Sequence, residues 1–189
     1  MQIDHDIEMC LEVLHKGGLI LYPTDTVWGI GCDATNADAV AKIYALKNRN
    51  ESKSMIILVA EEEDILDYVD RDHIPYFDFI KGITKPVTVI YNHAINLPAN
   101  LVNADGSIGI RVVKDPFCKR LIKAFGKPVV STSSNISGYP PPQVFSDIDI
   151  SIRNGVDYVV VHRQDDLQPA EPSTVIRLND DDTIEMIRP

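Results

Sequence analysis

A dense block of hydroxyl side chains follows the apolar run 128–130 and extends over residues 131–138. Serine and threonine hydroxyls both donate and accept hydrogen bonds, and the Asn135 amide does both through separate atoms. Phosphate and ribose oxygens need several short, directed partners at once, so this block could hold a polyoxygenated ligand. Serine, asparagine and glycine are also the usual residues of turns, and a plain polar turn stays open.

A second polar segment lies far away in the sequence, where Lys47, Arg49 and Lys53 precede the apolar run 55–59. The chain as a whole is acidic, with 18 Lys and Arg against 28 Asp and Glu and a formal net charge of −10. Clustered cations in such a chain are suited to neutralise phosphate, and an arginine can bind two oxygens at once. Cations at a helix end also stabilise the helix dipole, which is the structural alternative for Lys47 and Arg49.

Length and composition restrict the class of protein. The chain has 189 residues, 44% of them hydrophobic, which suits one domain over residues 1–189. Cys10, Cys32 and Cys118 lack the spacing of a disulfide framework or a zinc site, so we expect buried thiols in a reducing compartment. The first residues are acidic and no apolar run reaches membrane-spanning length. We therefore expect a cytoplasmic protein without a membrane partner.

Helical and strand patterns alternate along the chain and predict an α/β fold. The acidic turn 179–182 predicts an antiparallel hairpin, whereas apolar strands separated by helices predict a largely parallel sheet elsewhere. The sheet as a whole should therefore be mixed. Helices are predicted at 4–16, 37–47, 63–69, 75–81 and 116–125, and strands at 19–22, 55–59, 87–91, 108–112, 129–132, 158–161, 174–178 and 183–187.

Common nucleotide-binding motifs are absent from the sequence. No GxxxxGK[ST] segment occurs, and the glycines at 29 and 31 follow a polar segment where a dinucleotide fingerprint would follow a strand. If the protein binds ATP, it does so through another architecture.

A third polar segment, residues 22–31, completes a pattern of six short motifs. The six motifs extend over nearly the whole chain. Their sequences and their order resemble those of the YrdC-like family, the threonylcarbamoyl-AMP synthases. Trp28 stands where the family commonly has tyrosine, and Val113 where it commonly has proline. The motifs are residues 23–30 (PTDTVWGI), 47–49 (KNR), 86–88 (PVT), 111–113 (RVV), 131–138 (STSSNISG) and 172–175 (PSTV).

The resemblance implies a YrdC-like fold, a mixed parallel and antiparallel twisted sheet flanked by helices. It also implies that threonine, bicarbonate and ATP are joined to give threonylcarbamoyl-adenylate and pyrophosphate. Mg²⁺ would accompany ATP without a dedicated protein site. A separate tRNA transferase would use the product to modify an adenosine beside the anticodon.

Roles for the phosphate end of such a site are assigned by residue type. Lys47 and Arg49, as the catalytic cations, should neutralise the triphosphate and the leaving pyrophosphate, together with Lys53. The α-phosphate and the nucleoside are assigned to four residues: Thr88, Ser131, Ser133 and Asn135.

The amino-acid end is assigned in the same way. Thr24 and Ser173 should contact the polar groups of threonine, and Trp28 should form an apolar wall. Arg111 should pair with the threonine carboxylate or else with phosphate. Asp25 could touch the metal, although a turn carboxylate exposed to solvent is the simpler expectation.

Two other functions stay open. A basic face near residues 47–53 could bind tRNA or double-stranded RNA without chemistry, although the acidic chain would repel a polyanion over most of its surface. A carbamoyl-adenylate-forming enzyme acting on a different amine is the second alternative, since related modules serve in hydrogenase maturation.

Overall fold

A nine-stranded sheet forms the centre of the computed structural model, which describes residues 2–49, 55–70, 85–181 and 183–189. Numbered along the chain, the strands are β1 (Ile20–Tyr22), β2 (Gly29–Gly31), β3 (Ile56–Val59), β4 (Val87–Tyr91), β5 (Ile108–Val112), β6 (Val129–Ser133), β7 (Tyr158–Val159), β8 (Thr174–Leu178) and β9 (Ile184–Arg188).

The strands lie in the order β7-β1-β2-β6-β3-β5-β4-β8-β9. The predicted mixed sheet is confirmed, and so is the antiparallel hairpin of β8 and β9. The prediction of a largely parallel sheet elsewhere was wrong. Three pairings of the described strands are parallel (β1–β7, β3–β5 and β4–β8), whereas β1–β2, β2–β6, β6–β3 and β5–β4 are antiparallel.

Strand β2 explains part of this difference, because no strand was predicted at residues 29–31 and both pairings of β2 are antiparallel. A Cβ atom at Gly31 would lie 2.7 Å from a ring carbon of Tyr22 and 2.9 Å from the carbonyl oxygen of Val130. Glycine is therefore required by close packing within the sheet. In the sequence alone, a glycine required for close packing cannot be distinguished from a glycine in a turn.

Helices flank this sheet. The predicted helix 63–69 is a shorter 3₁₀ segment, the predicted helix 75–81 lies outside the described residues, and the short helix α4 was not predicted. Asn36 caps the start of α2, and its side chain accepts hydrogen bonds from the backbone amides of Asp38 and Ala39. The helices are α1 (Gln2–His15), α2 (Ala37–Leu46), α3 (Pro116–Phe125) and α4 (Ile150–Asn154), with 3₁₀ segments at Glu63–Asp67 and Phe145–Asp147.

The apolar strand residues and the inner helix faces form one core. Cys10, Cys32 and Cys118 are free and buried within it, as predicted. Among the described residues, no helix combines the length and the apolar character that crossing a membrane requires.

Candidate functional site

Helix α2 ends in a turn that sends Lys47 and Arg49 in different directions. Asn48 adopts a left-handed conformation with φ 49°, and asparagine is the residue other than glycine that tolerates this best. The Asn48 amide donates to the carbonyl of Ala45 at 3.1 Å, and the Arg49 amide donates to the carbonyl of Tyr44 at 2.9 Å. This pair of bonds is the Schellman motif of a helix C-terminus. The Lys-Asn-Arg spacing therefore has a local backbone cause.

Lys47 points inward and is fully buried. Its Nζ donates to the carbonyl oxygen of Ser133 and, at 2.7 Å, to that of Asn135. Its own carbonyl accepts a hydrogen bond of 3.0 Å from the Ser137 amide. Burial, and to a lesser degree the positive charge of Arg49, lowers the pKa of Lys47 to about 7. The phosphate contact expected of Lys47 stays a prediction, because the structure gives its amine two main-chain partners.

Arg49 points instead into a cavity of about 270 Å³. Burial lowers the pKa of its guanidinium from the ordinary value. The cavity brings together seven of the eleven residues predicted for the site: Trp28, Arg49, Thr88, Arg111, Ser131, Ser133 and Ser173.

The other four predicted residues lie elsewhere. Lys47 and Thr24 are buried beside the cavity, and Asn135 lines a neighbouring groove. Lys53 lies outside the described residues. Their predicted ligand contacts stay predictions.

Two hydroxyls form one wall of the cavity. Strands β4 and β8 pair in parallel with Thr88 opposite Val175, which places Thr88 next to Ser173 at the start of β8. The two hydroxyl oxygens lie 2.8 Å apart, and both residues are buried. Since each hydroxyl can donate and accept, the pair keeps further hydrogen-bonding capacity for a ligand.

Arg111 is fixed beneath this wall. Its Nη1 donates to the Thr26 hydroxyl at 3.0 Å, and its Nη2 donates to the Thr24 hydroxyl at 3.4 Å. Nη2 also forms an ion pair of 3.1 Å with Asp25, whose other oxygen accepts from the Lys114 amide. The expectation of an exposed Asp25 carboxylate was wrong, since only 7% of its side chain is exposed. Thr24 and Asp25 hold the guanidinium in a set orientation.

Arg188 also lines the cavity, although it was not predicted from the sequence. Its Nε and Nη2 donate to the Ser173 carbonyl at 3.0 and 2.7 Å. Burial and the nearby charge of Arg111 lower its pKa. A single arginine in a C-terminal strand belongs to none of the quoted motifs, so only its place in the folded hairpin identifies it. Buried Arg111 and the nearby, more exposed Arg188 together favour an anionic ligand between them.

Trp28 closes another side of the cavity. Its ring packs against Phe145 with centroids 4.8 Å apart, and its carbonyl accepts a hydrogen bond of 3.1 Å from the Ser134 amide. The next residue must be small, because a Cβ atom at Gly29 would lie 3.0 Å from the Ser131 hydroxyl. The apolar wall predicted for Trp28 is thus joined to the start of the hydroxyl block.

A groove of about 670 Å³ adjoins the cavity, and Pro141 lines both. Asn135 stiffens the groove: its amide nitrogen donates to the Tyr139 carbonyl at 2.6 Å, and its oxygen lies 2.5 Å from the Ser133 hydroxyl. Ser134, also on the groove, is fully buried, and its hydroxyl has no hydrogen-bond partner among the described residues. A buried hydroxyl without a partner is costly unless a ligand or water supplies one.

Both the fold and the amino-acid sequence of this chain are similar to those of known proteins. Two Pyrococcus abyssi Sua5 structures, the H234A/Y235A variant and a complex with L-threonine, superpose with TM-scores of 0.86 and 0.79 at 21% and 23% identity. The matches cover 97% and 91% of this chain but 56% and 50% of those chains. The chain thus spans about half the length of these structural relatives.

Proteins of similar sequence belong to the same group as these structural relatives. The threonylcarbamoyl-AMP synthase of Pseudoalteromonas translucida is 38% identical over 135 residues, which are 70% of this chain and 72% of that protein. The model of the Sua5/YciO/YrdC family, described as telomere recombination, matches residues 12–189. The family model, which covers most of the chain, and this relative therefore place the chain in the Sua5/YciO/YrdC family.

Proposed function

We propose that the protein is a threonylcarbamoyl-AMP synthase, an enzyme that makes threonylcarbamoyl-adenylate and pyrophosphate from L-threonine, bicarbonate and ATP. Three arginines and several hydroxyl residues, four of them predicted from the sequence, converge on one cavity, and this convergence carries the proposal. The name of the Pseudoalteromonas relative and the threonine complex of P. abyssi Sua5 support the choice of reaction and of amino acid. The residues are Arg49, Arg111, Arg188, Thr88, Ser131, Ser133 and Ser173.

The chemistry requires two bond-forming steps. The threonine amine adds to bicarbonate to form a carbamate, with loss of water. A carbamate oxygen then attacks the α-phosphorus of ATP, and the bond from that phosphorus to the bridging oxygen breaks to release pyrophosphate. Such a transfer depends mostly on positioning and on neutralising charge, which arginines and hydroxyls on a rigid sheet can supply.

At the phosphate end, Arg49 is proposed to neutralise the β- and γ-phosphates, with help from Lys53 as the sequence predicts. Ser131 would donate to the α-phosphate, and Ser133, whose hydroxyl donates to the Asn135 side-chain oxygen, would lie beside it on the same cavity wall. The nucleoside would then extend past Pro141 into the groove. There Asn135 and the unpartnered Ser134 hydroxyl offer polar groups between apolar walls.

At the amino-acid end, Thr88 and Ser173 are proposed to bind the polar groups of threonine, and Trp28 to exclude water. The carboxylate would lie between Arg111 and Arg188, whose charges lie close enough to lower the pKa of Arg188. Asp25 compensates only one of these two cations. A bound carboxylate between the two arginines would neutralise the remaining positive charge.

Mg²⁺ is proposed to enter with ATP, held by phosphate oxygens and water. Within residues 2–49, 55–70, 85–181 and 183–189, no three His, Cys, Asp or Glu side chains lie together as potential ligands. Asp25 is already engaged by Arg111 and the Lys114 amide. These residues fit a metal carried by the nucleotide better than one held by a protein cage.

The threonylcarbamoyl-adenylate product would pass to a separate tRNA transferase. The cytoplasmic location of the protein stays a prediction. Among the described residues, no particular surface favours direct binding of tRNA or double-stranded RNA. Basic side chains in the described part of the chain often pair with carboxylates, as Lys119 and Lys123 both do with Glu61. Paired cations gain less from phosphate than unpaired ones.

Pyrophosphate release from ATP by the purified chain, with threonine and bicarbonate omitted in turn, tests the proposal. We expect release only when both are present, and mass spectrometry should identify the adenylate. Release without threonine would overturn the choice of substrate. Release that instead depends on carbamoyl phosphate would identify the enzyme as a carbamoyl-adenylate former acting on another amine. Salt-sensitive RNA binding without any release would favour the non-catalytic RNA-binding alternative.

A further inference from the structure

We propose that Lys47 is a positioning residue: it fastens the loop formed by residues 133–137 to the end of helix α2 and so fixes the nucleoside end of the site. The inference rests on the proposed function, because that function assigns Ser133 and Asn135 to the nucleotide. It gives Lys47 a role different from direct neutralisation of the triphosphate.

Three hydrogen bonds connect residue 47 to this loop. The side-chain amine donates to the carbonyls of Ser133 and Asn135, and the Lys47 carbonyl accepts from the Ser137 amide. The bonds reach the start, the middle and the end of the loop. No other single side chain described for this loop bonds to two of its carbonyls.

The direction of these bonds determines which groups the loop presents. In a trans peptide the C=O and the following N–H point in opposite directions, and the described residues contain no cis peptide. The bond from Lys47 to the Asn135 carbonyl therefore turns the amide hydrogen of Ile136 away from the lysine. The bond to the Ser133 carbonyl likewise directs the Ser134 amide to its acceptor on Trp28. Lys47 thus keeps carbonyl oxygens turned away from where phosphate oxygens would bind.

An amine is suited to this role whether or not it is charged. Burial lowers the pKa of Lys47 to about 7, and a neutral amine still carries two N–H donors for its two carbonyl acceptors. A phosphate-neutralising lysine would need both its charge and access to the cavity. The buried position of Lys47 provides neither access nor a strong preference for the charged form.

The test compares ligands on the full chain by titration calorimetry. The probes are AMP, a non-hydrolysable α,β-methylene analogue of ATP, pyrophosphate and L-threonine. Lys47→Met removes the donors at similar length, and Arg49→Met is the matched control. We expect Lys47→Met to weaken AMP and the ATP analogue by a similar factor, about tenfold or more, and to leave threonine affinity within about twofold. Arg49→Met should weaken the ATP analogue and pyrophosphate more than AMP.

Other patterns would overturn the inference. Loss of affinity for the ATP analogue and pyrophosphate with unchanged AMP affinity would indicate direct phosphate contact by Lys47. Equal loss for all ligands, threonine included, would indicate a general defect of folding. If Lys47→Met does not fold, Lys47→Gln is measured with the same probes: it keeps two N–H donors, so AMP and ATP-analogue affinity should stay close to the wild-type values, whereas loss for the ATP analogue and pyrophosphate alone would indicate direct phosphate contact by the Lys47 charge.

The wild-type protein separates this inference from the proposed function. Failure of the wild type to bind AMP would overturn both. A uniform loss of AMP and ATP-analogue affinity in the variant, together with threonine-independent pyrophosphate release by the wild type, would support the positioning role and overturn the proposed reaction alone.

Discussion

The hydroxyl oxygens of Thr88 and Ser173 lie 2.8 Å apart although the residues are 85 positions apart in sequence. Thr88 belongs to β4, and Ser173 immediately precedes β8, the parallel neighbour of β4. The pairing of these two strands creates one end of the cavity. Changes at this pair should therefore affect one substrate more than the other.

Thr88→Val and Ser173→Ala should each raise the KM for threonine about tenfold and leave ATP affinity nearly unchanged. Each removes a hydroxyl that contributes roughly 1–2 kcal/mol through hydrogen bonds to its partner and to the substrate. Because the two hydroxyls bond to each other, the double variant should cost less than the sum of the single variants. Steady-state kinetics with each substrate varied in turn measures this, and strictly additive effects would show that the pair does not act as a unit.

Arg49→Met should lower kcat/KM for ATP by about 10- to 100-fold, since a hydrogen bond to a charged group contributes roughly 1.5–3 kcal/mol. Arg120→Met is the control, because Arg120 is more than half exposed and pairs with Asp4 on the surface. Both variants should melt near the wild-type temperature. Equal activity of the two variants would refute the role assigned to Arg49.

Asn48 should tolerate glycine but not valine. Its left-handed conformation costs glycine nothing, whereas a β-branched residue at positive φ costs about 1–2 kcal/mol and would displace Arg49 from the cavity. We expect Asn48→Gly to retain wild-type kcat/KM for ATP, and Asn48→Val to lose both stability and activity. Urea denaturation and kinetics on both variants test this, and an active, stable valine variant would contradict it.

The stability of the protein should depend on the ionisation of Lys47. Its folded-state pKa of about 7 lies below the ordinary value of 10.5, so between these values the unfolded chain binds a proton that the folded chain does not. The contribution of Lys47 to the free energy of unfolding is therefore smallest below pH 7 and rises with pH between about 7 and 10.5. Above pH 10.5 this contribution no longer changes.

Buried Cys10 and Tyr91, whose pKa values are raised, act in the opposite direction at high pH, so the difference between variants is the useful quantity. Between pH 7 and 10, the urea midpoint of the wild type minus that of Lys47→Met should increase with pH. The exposed Lys16→Met is the control and should run parallel to the wild type. Parallel curves for Lys47→Met as well would show that Lys47 does not titrate in this window.

Local patterns predicted most of the sheet because its apolar, β-branched runs are continuous. They failed at β2, where Gly31 makes room for the Tyr22 ring, a contact made across the sheet. For the site, the short motifs identified Arg49 and Thr88, which the fold then brings to one cavity. They missed Arg188 because its role depends on the pairing of β9. They also could not show that the backbone at Asn48 turns Lys47 into the protein.

The late position of β8 and β9 in the chain also has a consequence for the order of folding. Ser173 and Arg188 reach the cavity only after this hairpin has joined β4, a contact that closes a long loop at a considerable cost in chain entropy. The amino-acid end of the site should therefore be among the last parts to form. A ligand that binds only the completed sheet would draw the hairpin onto it by mass action, and the β8 amides should then exchange their hydrogens more slowly.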